Sequence, residues 1–147
     1  MANTFLTNYN ISAFIGTAYA TEVWTYAQLG EGLDNVAESL NEIVQQYQYL
    51  NGGGFAKNHV TGMAPAWTFS GIRVMGDAAQ DYIFSKKYSL GSDRASSFKI
   101  TYVDDSEATV TLTVPCTICS IQEISGAATD DSAISFEIRF DEAPTIS

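Results

Sequence analysis

The stretch "LNGGGFAKNHVTGMAPAWTFSGIRVMGDAAQDYIFS", residues 50–85, joins a glycine-rich turn, a strand pattern and the start of a helix. Its segment "AWTFSGIRV" puts Trp67 and Phe69 on one face of a strand, because successive side chains on a strand alternate. Gly76 and Asp77 follow. Glycine permits a tight backbone turn, and aspartate caps the free amides at a helix start. The stretch therefore predicts a strand-to-helix corner, with no need for catalytic chemistry.

The predicted helix begins at Asp77 in "GDAAQDYIFSKKYS". Gln80 stands three residues later, as in a capping box, so Asp77 and Gln80 are the expected helix-cap residues. Lys86 and Lys87 fall in the expected last turn, where the helix dipole favours cations. This is the one segment whose pattern clearly favours a helix.

Period-two alternation recurs along most of the chain. It is clearest in "TEVWTYA" (21–27), "SFKITYV" (97–103), "ATVTLTV" (108–114) and "AISFEIRF" (133–140). Alternating β-branched and aromatic residues are typical of half-buried antiparallel strands. Short strands separated by turn signals predict a mainly β fold, an antiparallel sandwich or barrel, with the one helix flanking it.

The segment "LDNVAESLNEIVQQYQYL" (residues 33–50) fits two patterns. A helical stripe is formed by Val36, Leu40, Ile43, Val44 and Tyr47, whereas the two-residue spacing of Tyr47 and Tyr49 suits a strand. The pattern by itself favours a helix for the first half and leaves the second half open.

Composition indicates one domain over residues 1–147 and leaves room for large subunit contacts, because only 16% of the residues are charged. The net charge is −10, yet residues 57–99 hold six bases against three acids, between two acidic flanks. Such a chain could meet copies of itself through complementary charge, or the clustering could be a solvated surface. The acidic balance argues against tight binding of nucleic acid.

Two features invite a chemical interpretation. Cys116 and Cys119 form "PCTIC", but the flanking residues are strand-like, so the two thiols would point to opposite faces. His59 is the only histidine and lies in the expected glycine-rich loop, with no second metal-binding motif for a zinc site. We expect structural thiols, and no catalytic, cofactor-binding or metal-binding residues.

No targeting signal is recognisable. "MANTFLTNYN" lacks the basic start and apolar run of a signal peptide, and the apolar stretches are too short to cross a bilayer. We expect a protein made in the cytoplasm, with no membrane partner.

Several blocks resemble one family in order and spacing. They are "LGEGLDNVAES" (29–39), "TFSGIR" (68–73), "GDAAQDYI" (76–83), and "DSAISFEIRFDEAP" (131–144) with the "PCTIC" before it. The chain resembles the tail tube (major tail) proteins of long-tailed, non-contractile bacteriophages of Gram-positive hosts. The likeness spans roughly residues 30–144 and consists of scaffold positions, not of a catalytic signature.

The resemblance implies a β-sandwich with one helix, of which six copies form a ring around a continuous inner β-barrel. Rings would stack head to tail into the hollow tail tube, through which DNA passes at ejection without specific binding. Implied partners are the chain itself, a tape-measure protein, a tail terminator and a distal tail protein. The implied location is the virion tail, assembled in the host cytoplasm. Under this resemblance residues 44–50 form a strand.

The resemblance also implies an extended arm at about residues 35–62 that touches the next ring, with the "GGG" turn allowing close approach. Acidic residues would line the lumen and keep DNA from sticking. The candidate subunit-interface residues are Leu40, Ile43, Val44, Tyr47, Tyr49 and Phe55, and the candidate lumen-facing residues are Glu22, Glu31 and Asp34.

Other functions remain open at this point. A related tube would be the inner tube of a contractile tail, a tail-like bacteriocin (tailocin) or a gene-transfer particle. A β-sandwich carbohydrate-binding or adhesin module would instead be a monomer with an exposed aromatic platform, for which Trp24 and Trp67 are candidates. An enzyme would need a cluster of acid, base and nucleophile, and no such motif is recognisable in the sequence.

Overall fold

The computed structural model describes residues 4–147. This part of the chain is mainly β-strand, with one α-helix between the sixth and seventh strands. The elements are β1 (Ser12–Ala20), β2 (Val23–Leu29), β3 (Leu33–Ser39), β4 (Ile43–Tyr47), β5 (Lys57–Gly62), β6 (Ala66–Ile72), α1 (Ala78–Ser85), β7 (Ala95–Val103), β8 (Thr109–Gln122), β9 (Ala133–Phe140) and β10 (Thr145–Ile146).

One antiparallel sheet holds eight strands, in the order β2-β1-β7-β8-β9-β6-β3, with β10 beside β8. Two strands separate β7 from β6 in this order, so a flat sheet would hold them roughly 14 Å apart. The rings of Phe98 on β7 and Phe69 on β6 nevertheless have centroids only 6.0 Å apart. The sheet therefore curls around its core like an open barrel, and β2 and β3 are its two edge strands.

The core fills the inside of this curled sheet. On β9 the side chains of Ile134, Phe136 and Ile138 are buried and those between them are less so, as period-two alternation requires. The ring of Phe84 on α1 packs edge-on against that of Phe136, with centroids 6.3 Å apart. The predicted fold class, an antiparallel β fold with one flanking helix, is confirmed.

One predicted strand boundary is wrong. The expected strand at residues 21–27 begins at Val23, because Thr21 and Glu22 form the β1–β2 turn with φ angles of 53° and 61°. A two-residue hairpin turn that matches the twist of its strands requires positive φ at both positions. A tight turn therefore replaces the first two residues of the expected strand.

The helix starts where the sequence places it. The Asp77 carboxylate accepts a hydrogen bond from the Gln80 backbone N–H at 3.1 Å. In a capping box the Gln80 side chain would bond back to the Asp77 backbone N–H, and this half of the prediction is wrong. The buried Gln80 side chain instead accepts a hydrogen bond from the Val74 N–H and donates one to the Glu31 carbonyl, both at 2.8 Å. The Gln80 side chain therefore supplies partners to backbone groups of two separate turns, the β6–α1 corner and the β2–β3 turn. Lys86 is the C-cap, so the lysines expected in the last turn follow the helix.

Arg73 ties the helix to the rest of the fold. Its guanidinium pairs with Asp81 on α1 and with Glu123 after β8, each at 2.9 Å, and its side chain is 9% exposed. The same group lies 4.9 Å above the ring of Phe84. The helix is therefore held by one cation shared between two acids from different elements.

The helical interpretation of residues 33–50 is wrong in its first half. Residues 33–39 form β3, which pairs with β6 from Leu33 opposite Gly71 to Ser39 opposite Ala66. Its backbone hydrogen bonds go to a neighbouring strand, a long-range partner that local periodicity cannot reveal. The strand expected at residues 44–50 is present as β4, which ends at Tyr47.

Candidate assembly interface

The region expected to be an arm contains a separate two-stranded hairpin. β4 and β5 pair only with each other, apart from the main sheet. The hairpin is closed at its base by a hydrogen bond from the Ala64 N–H to the Leu40 carbonyl at 3.0 Å. His59, expected in a loop, lies on β5 opposite Gln45. An isolated two-stranded hairpin is only marginally stable in water, so contact with a partner surface would stabilise this one.

Both faces of the hairpin carry exposed apolar side chains. Val44 and Val60 lie directly opposite each other on one face. Tyr47 lies on the other face, where its ring stacks on that of Tyr49 with centroids 6.2 Å apart. A hairpin that is apolar on both faces can bury both only if it lies between two surfaces.

All six residues predicted for the subunit interface are exposed in the single chain. The glycine turn at the tip follows a normal turn geometry, with Gly53 and Gly54 at positive φ. The role of the six residues and of the glycine turn in subunit contacts stays a prediction. The residues and their exposed fractions are Leu40 39%, Ile43 56%, Val44 47%, Tyr47 43%, Tyr49 57% and Phe55 83%.

The two edge strands, β2 and β3, border a cleft of the curled sheet. Leu29, Val36, Trp67 and Phe69 line its apolar part. The Trp67 indole N–H is buried and has no hydrogen-bond partner within the described residues. Unpaired strand edges are templates for further pairing, and a buried indole N–H normally finds an acceptor.

The predicted lumen-facing acids do not form one patch. Glu22 lies in the β1–β2 turn and Glu31 in the β2–β3 turn, so the seven residues of β2 separate them. Seven strand residues span roughly 23 Å. Asp34 lies on β3 where the register with β6 shifts. A lumen role for these residues stays a prediction.

The two tryptophans do not form a shared exposed platform. Trp24 packs over Gly16, where a Cβ atom would lie 2.5 Å from the indole ring, and its centroid is 5.1 Å from that of Tyr19. Trp67 packs edge-on against Phe98 with centroids 5.6 Å apart. Both indoles are half-buried within the fold, which gives little support to a flat sugar-binding surface.

The cysteines lie on opposite faces of β8, as the sequence predicts. Cys116 is buried in the core, and burial raises the pKa of its thiol to about 12. Cys119 is half-buried on the other face, and burial also raises the pKa of its thiol. Neither thiol has the depressed pKa of a reactive cysteine.

The described part of the chain has neither a cluster of metal-ligating side chains nor a membrane-spanning helix. Residues 4–147 hold no group of three or more His, Cys, Asp or Glu side chains placed to bind a metal ion. Over the same range, the helix falls short of the length and apolar character needed to span a membrane.

Sequence reasoning missed a second exposed apolar surface. Phe5 is 97% exposed and Leu6 is exposed beside it, in the segment before β1. These residues line a cleft together with Val103 at the end of β7 and with Asp104 and Asp105 of the β7–β8 turn. The sequence shows Phe5 and Leu6 as neighbouring apolar residues, which could have indicated an exposed apolar surface. Only the fold brings them next to the acidic β7–β8 turn.

Solved structures share this fold over nearly their whole length. A chain in the tail of an empty GTA particle, solved with C6 symmetry, matches with a TM-score of 0.72 and 12% identity, covering 97% of this chain and 99% of that one. A chain of the cap that terminates the tube of the anti-feeding prophage matches with a TM-score of 0.63 and 15% identity, covering 100% and 93%. A chain of the PVC sheath–tube complex, an extracellular contractile injection system, matches with a TM-score of 0.60 and 14% identity, covering 97% and 90%.

No protein-family model matches the sequence, and no curated protein matches it. At such low identities the structural similarity defines the fold alone. The chain has a tail-tube-like fold.

Proposed function

We propose that this chain is a structural subunit of a phage-like tail tube, located in the tail of the particle and without catalytic activity. The observation that carries the proposal is the match to chains of a GTA tail, a tube-terminating cap and a sheath–tube complex, over at least 97% of this chain and at least 90% of each of theirs. A shared small sheet would match only part of such chains, whereas here the whole architecture corresponds.

The exposed surfaces of the single chain support self-assembly. Two strand edges, β2 and β3, are open at the ends of the sheet. Pairing of these edges between neighbours would remove both from solvent and close a ring. Leu29, Val36 and Trp67 line the cleft beside these edges, so a neighbour that pairs with an edge could also cover apolar side chains.

The type of tail is a finer question. The sequence resembles proteins of non-contractile tails, while the structural matches include the GTA particle and contractile injection systems. A tube of a gene-transfer particle or of a contractile system fits these matches as well as or better than a non-contractile phage tail. We therefore propose a tube subunit of a phage-like particle, and the proposal includes both contractile and non-contractile tails.

The proposed assembly is a ring of six copies that stacks head to tail, with DNA passing through the lumen without specific binding. A head-to-tail contact repeats without limit, so other proteins must set the length. The proposed partners are a tape-measure protein, a tail terminator and a distal tail protein, and assembly would take place in the host cytoplasm. Glu22, Glu31 and Asp34 remain the proposed lumen-facing acids.

Electron microscopy of the purified chain tests the proposal. Negative-stain images at high concentration, with light scattering for mass, should show rings or hollow tubes with sixfold symmetry. Expression with the neighbouring tail genes supplies any missing nucleating protein. A chain that stays monomeric and never enters a tube under both conditions would overturn the proposal, and a screen for glycan binding would then test the binding-module alternative.

A further inference from the structure

The β4–β5 hairpin is joined to the main sheet by two short segments that pair with neither ladder. On this side the pairing of the main sheet ends with Ser39 opposite Ala66, and the pairing of the hairpin begins with Ile43 opposite Gly62. The residues between these two pairs are 40–42 and 63–65. Because both segments lie at the same level of the fold, the hairpin can turn against the sheet at this gap.

The side chain of Asn41 bridges the gap. Its Oδ1 atom accepts a hydrogen bond from the Ser39 hydroxyl at 3.0 Å, on the side of the main sheet. Its Nδ2 group donates a hydrogen bond to the Ala64 carbonyl at 2.9 Å, on the returning segment. The Ala64 N–H in turn donates to the Leu40 carbonyl at 3.0 Å. One carboxamide therefore ties the segment that leaves the sheet to the segment that returns to it.

The backbone of Asn41 also suits this position. Its φ angle is 48°, in the left-handed region that asparagine and aspartate enter more readily than most other residues. A left-handed residue between two strands interrupts the extended chain, so β4 is not a simple continuation of β3. Asparagine therefore supplies both the backbone conformation and the two side-chain hydrogen bonds.

Buried apolar packing does not hold the hairpin in place. Among the described residues, β4 and β5 contribute no side chain to the core and pair only with each other. Around the gap, Leu40, Ile43 and Met63 are all exposed. The direction of the hairpin relative to the sheet therefore depends on the hydrogen bonds at Asn41 and Ala64.

We propose that Asn41 is a latch that holds the β4–β5 hairpin in one direction relative to the main sheet. Residues 40–42 and 63–65 form the hinge about which the hairpin swings when the latch opens. The inference concerns the single chain and goes beyond the proposed function, because it does not require assembly. A latched hairpin presents its exposed side chains in a fixed geometry, which lowers the conformational entropy lost when a partner covers them.

The distance between two spin labels on one chain tests the latch. In a Cys119→Ser background, labels are attached at Asn58→Cys on β5 and Gln122→Cys on β8, both exposed positions. The buried Cys116 thiol, with its pKa of about 12, stays unlabelled. Double electron–electron resonance on labelled chain diluted into unlabelled chain gives the distances within one molecule. The chain with Asn41 in place should give one narrow distribution, and a broad or multiple distribution would overturn the proposal.

Two variants open the latch in different ways. Asn41→Ala removes both side-chain hydrogen bonds, and the distance distribution should become at least about twofold wider. Asn41→Asp has nearly the same shape and tolerates the same φ angle, but it cannot donate to the Ala64 carbonyl, so it should widen the distribution as well. An unchanged width in either variant would overturn the latch.

Thr61→Val is the matched control for these variants. It removes a hydroxyl that donates to the Ile43 carbonyl at 3.4 Å within the β4–β5 pairing, outside the hinge segments. The distance distribution should keep its width. Widening by Thr61→Val as large as that by Asn41→Ala would show that any lost hydrogen bond in this region has the same effect, and it would overturn the special role of Asn41.

Nuclear magnetic resonance separates a released hairpin from a melted one. Val44 and Val60 lie opposite each other, so the nuclear Overhauser contact between them reports an intact hairpin. This contact should persist in Asn41→Asp, and the thermal unfolding midpoint of the chain should not change. Loss of the contact would show that Asn41 holds the hairpin together and does not set its direction, which would overturn the latch. Each outcome is read on the single chain, so the proposed tube function stands or falls by its own experiment.

Discussion

Gly71 is the residue whose small size the fold most clearly requires. It lies on β6 opposite Leu33, where a Cβ atom would stand 2.8 Å from the Leu33 Cα and closer still to the Gly32 carbonyl. These are backbone atoms of the β2–β3 turn, which cannot move aside as a flexible side chain can. Glycine here lets the end of β6 approach that turn.

We expect Gly71→Ala to destabilise the chain by about 2 to 3 kcal/mol, since overpacking against backbone forces the strands apart. Gly30→Ala is the matched control, because no atom lies within 4 Å of its Cβ position and its φ is not positive. The control should change stability by less than about 0.5 kcal/mol. Urea denaturation measures both, and equal effects would show that the close approach does not matter.

Cys116 predicts a pH dependence of stability. Its thiol has an ordinary pKa of 9.0, raised to about 12 by burial. The unfolded chain loses this proton first, so the thiol's contribution is complete below pH 9 and is lost as the pH rises toward 12. The free energy of unfolding should fall by up to about 1.4 kcal/mol per pH unit from this group. Cys116→Ala should lack this part of the decline, and an identical slope in both proteins would contradict the assignment.

At the scale of elements, the attachment of α1 to the sheet depends on polar groups as much as on packing. The buried Gln80 side chain links the helix to the β2–β3 turn, and Arg73 links it to Asp81 and Glu123. Lys87 adds a second ion pair to Glu123 at 2.7 Å. Removing Arg73 would take this cation from Asp81, while Glu123 would keep its ion pair with Lys87.

We expect Arg73→Ala to cost about 2 kcal/mol of stability, because it removes a largely buried guanidinium that joins α1 to the segment after β8. Arg139→Ala is the control, since Arg139 pairs with Glu137 but is 61% exposed. The control should cost at most about 1 kcal/mol. Thermal and urea unfolding give both values, and a loss at Arg139 as large as at Arg73 would argue against a special role for the buried pair.

At the scale of the whole molecule, the curled sheet and the hairpin differ in how they are packed. The sheet and α1 enclose the core, while the hairpin contributes no buried residue to that core. Its base is closed by the hydrogen bond between Ala64 and Leu40, so the chain enters and leaves it at nearly one point. The hairpin should therefore be separable from the fold.

We expect replacement of residues 42–62 by a short glycine linker to leave the core folded and to abolish assembly. The reason is that this segment holds exposed apolar side chains and none of the core. Circular dichroism and thermal unfolding measure the fold, and electron microscopy measures assembly. Tubes formed by the shortened chain would contradict an interface role for the hairpin.

The sequence by itself determined the local features, because their causes are local. The alternation of apolar and polar side chains predicts β7, β8 and β9 and places the two cysteines on opposite faces of a strand. Asp77 marks the start of the helix. Each of these features depends on residues only a few positions apart in the sequence, where side-chain spacing and capping leave a visible pattern.

Tertiary structure alone decided the features that depend on distant partners. Residues 33–39 became a strand because β6 supplies their hydrogen bonds, and the Gln80 side chain turned away from the cap to bond with the backbone of Val74 and Glu31. The same folding brought Phe5 next to Asp105 and placed Lys57 at the far end of the β4–β5 hairpin. Partners that are far apart in sequence leave no periodic trace, so only the folded chain shows which surfaces remain to be covered.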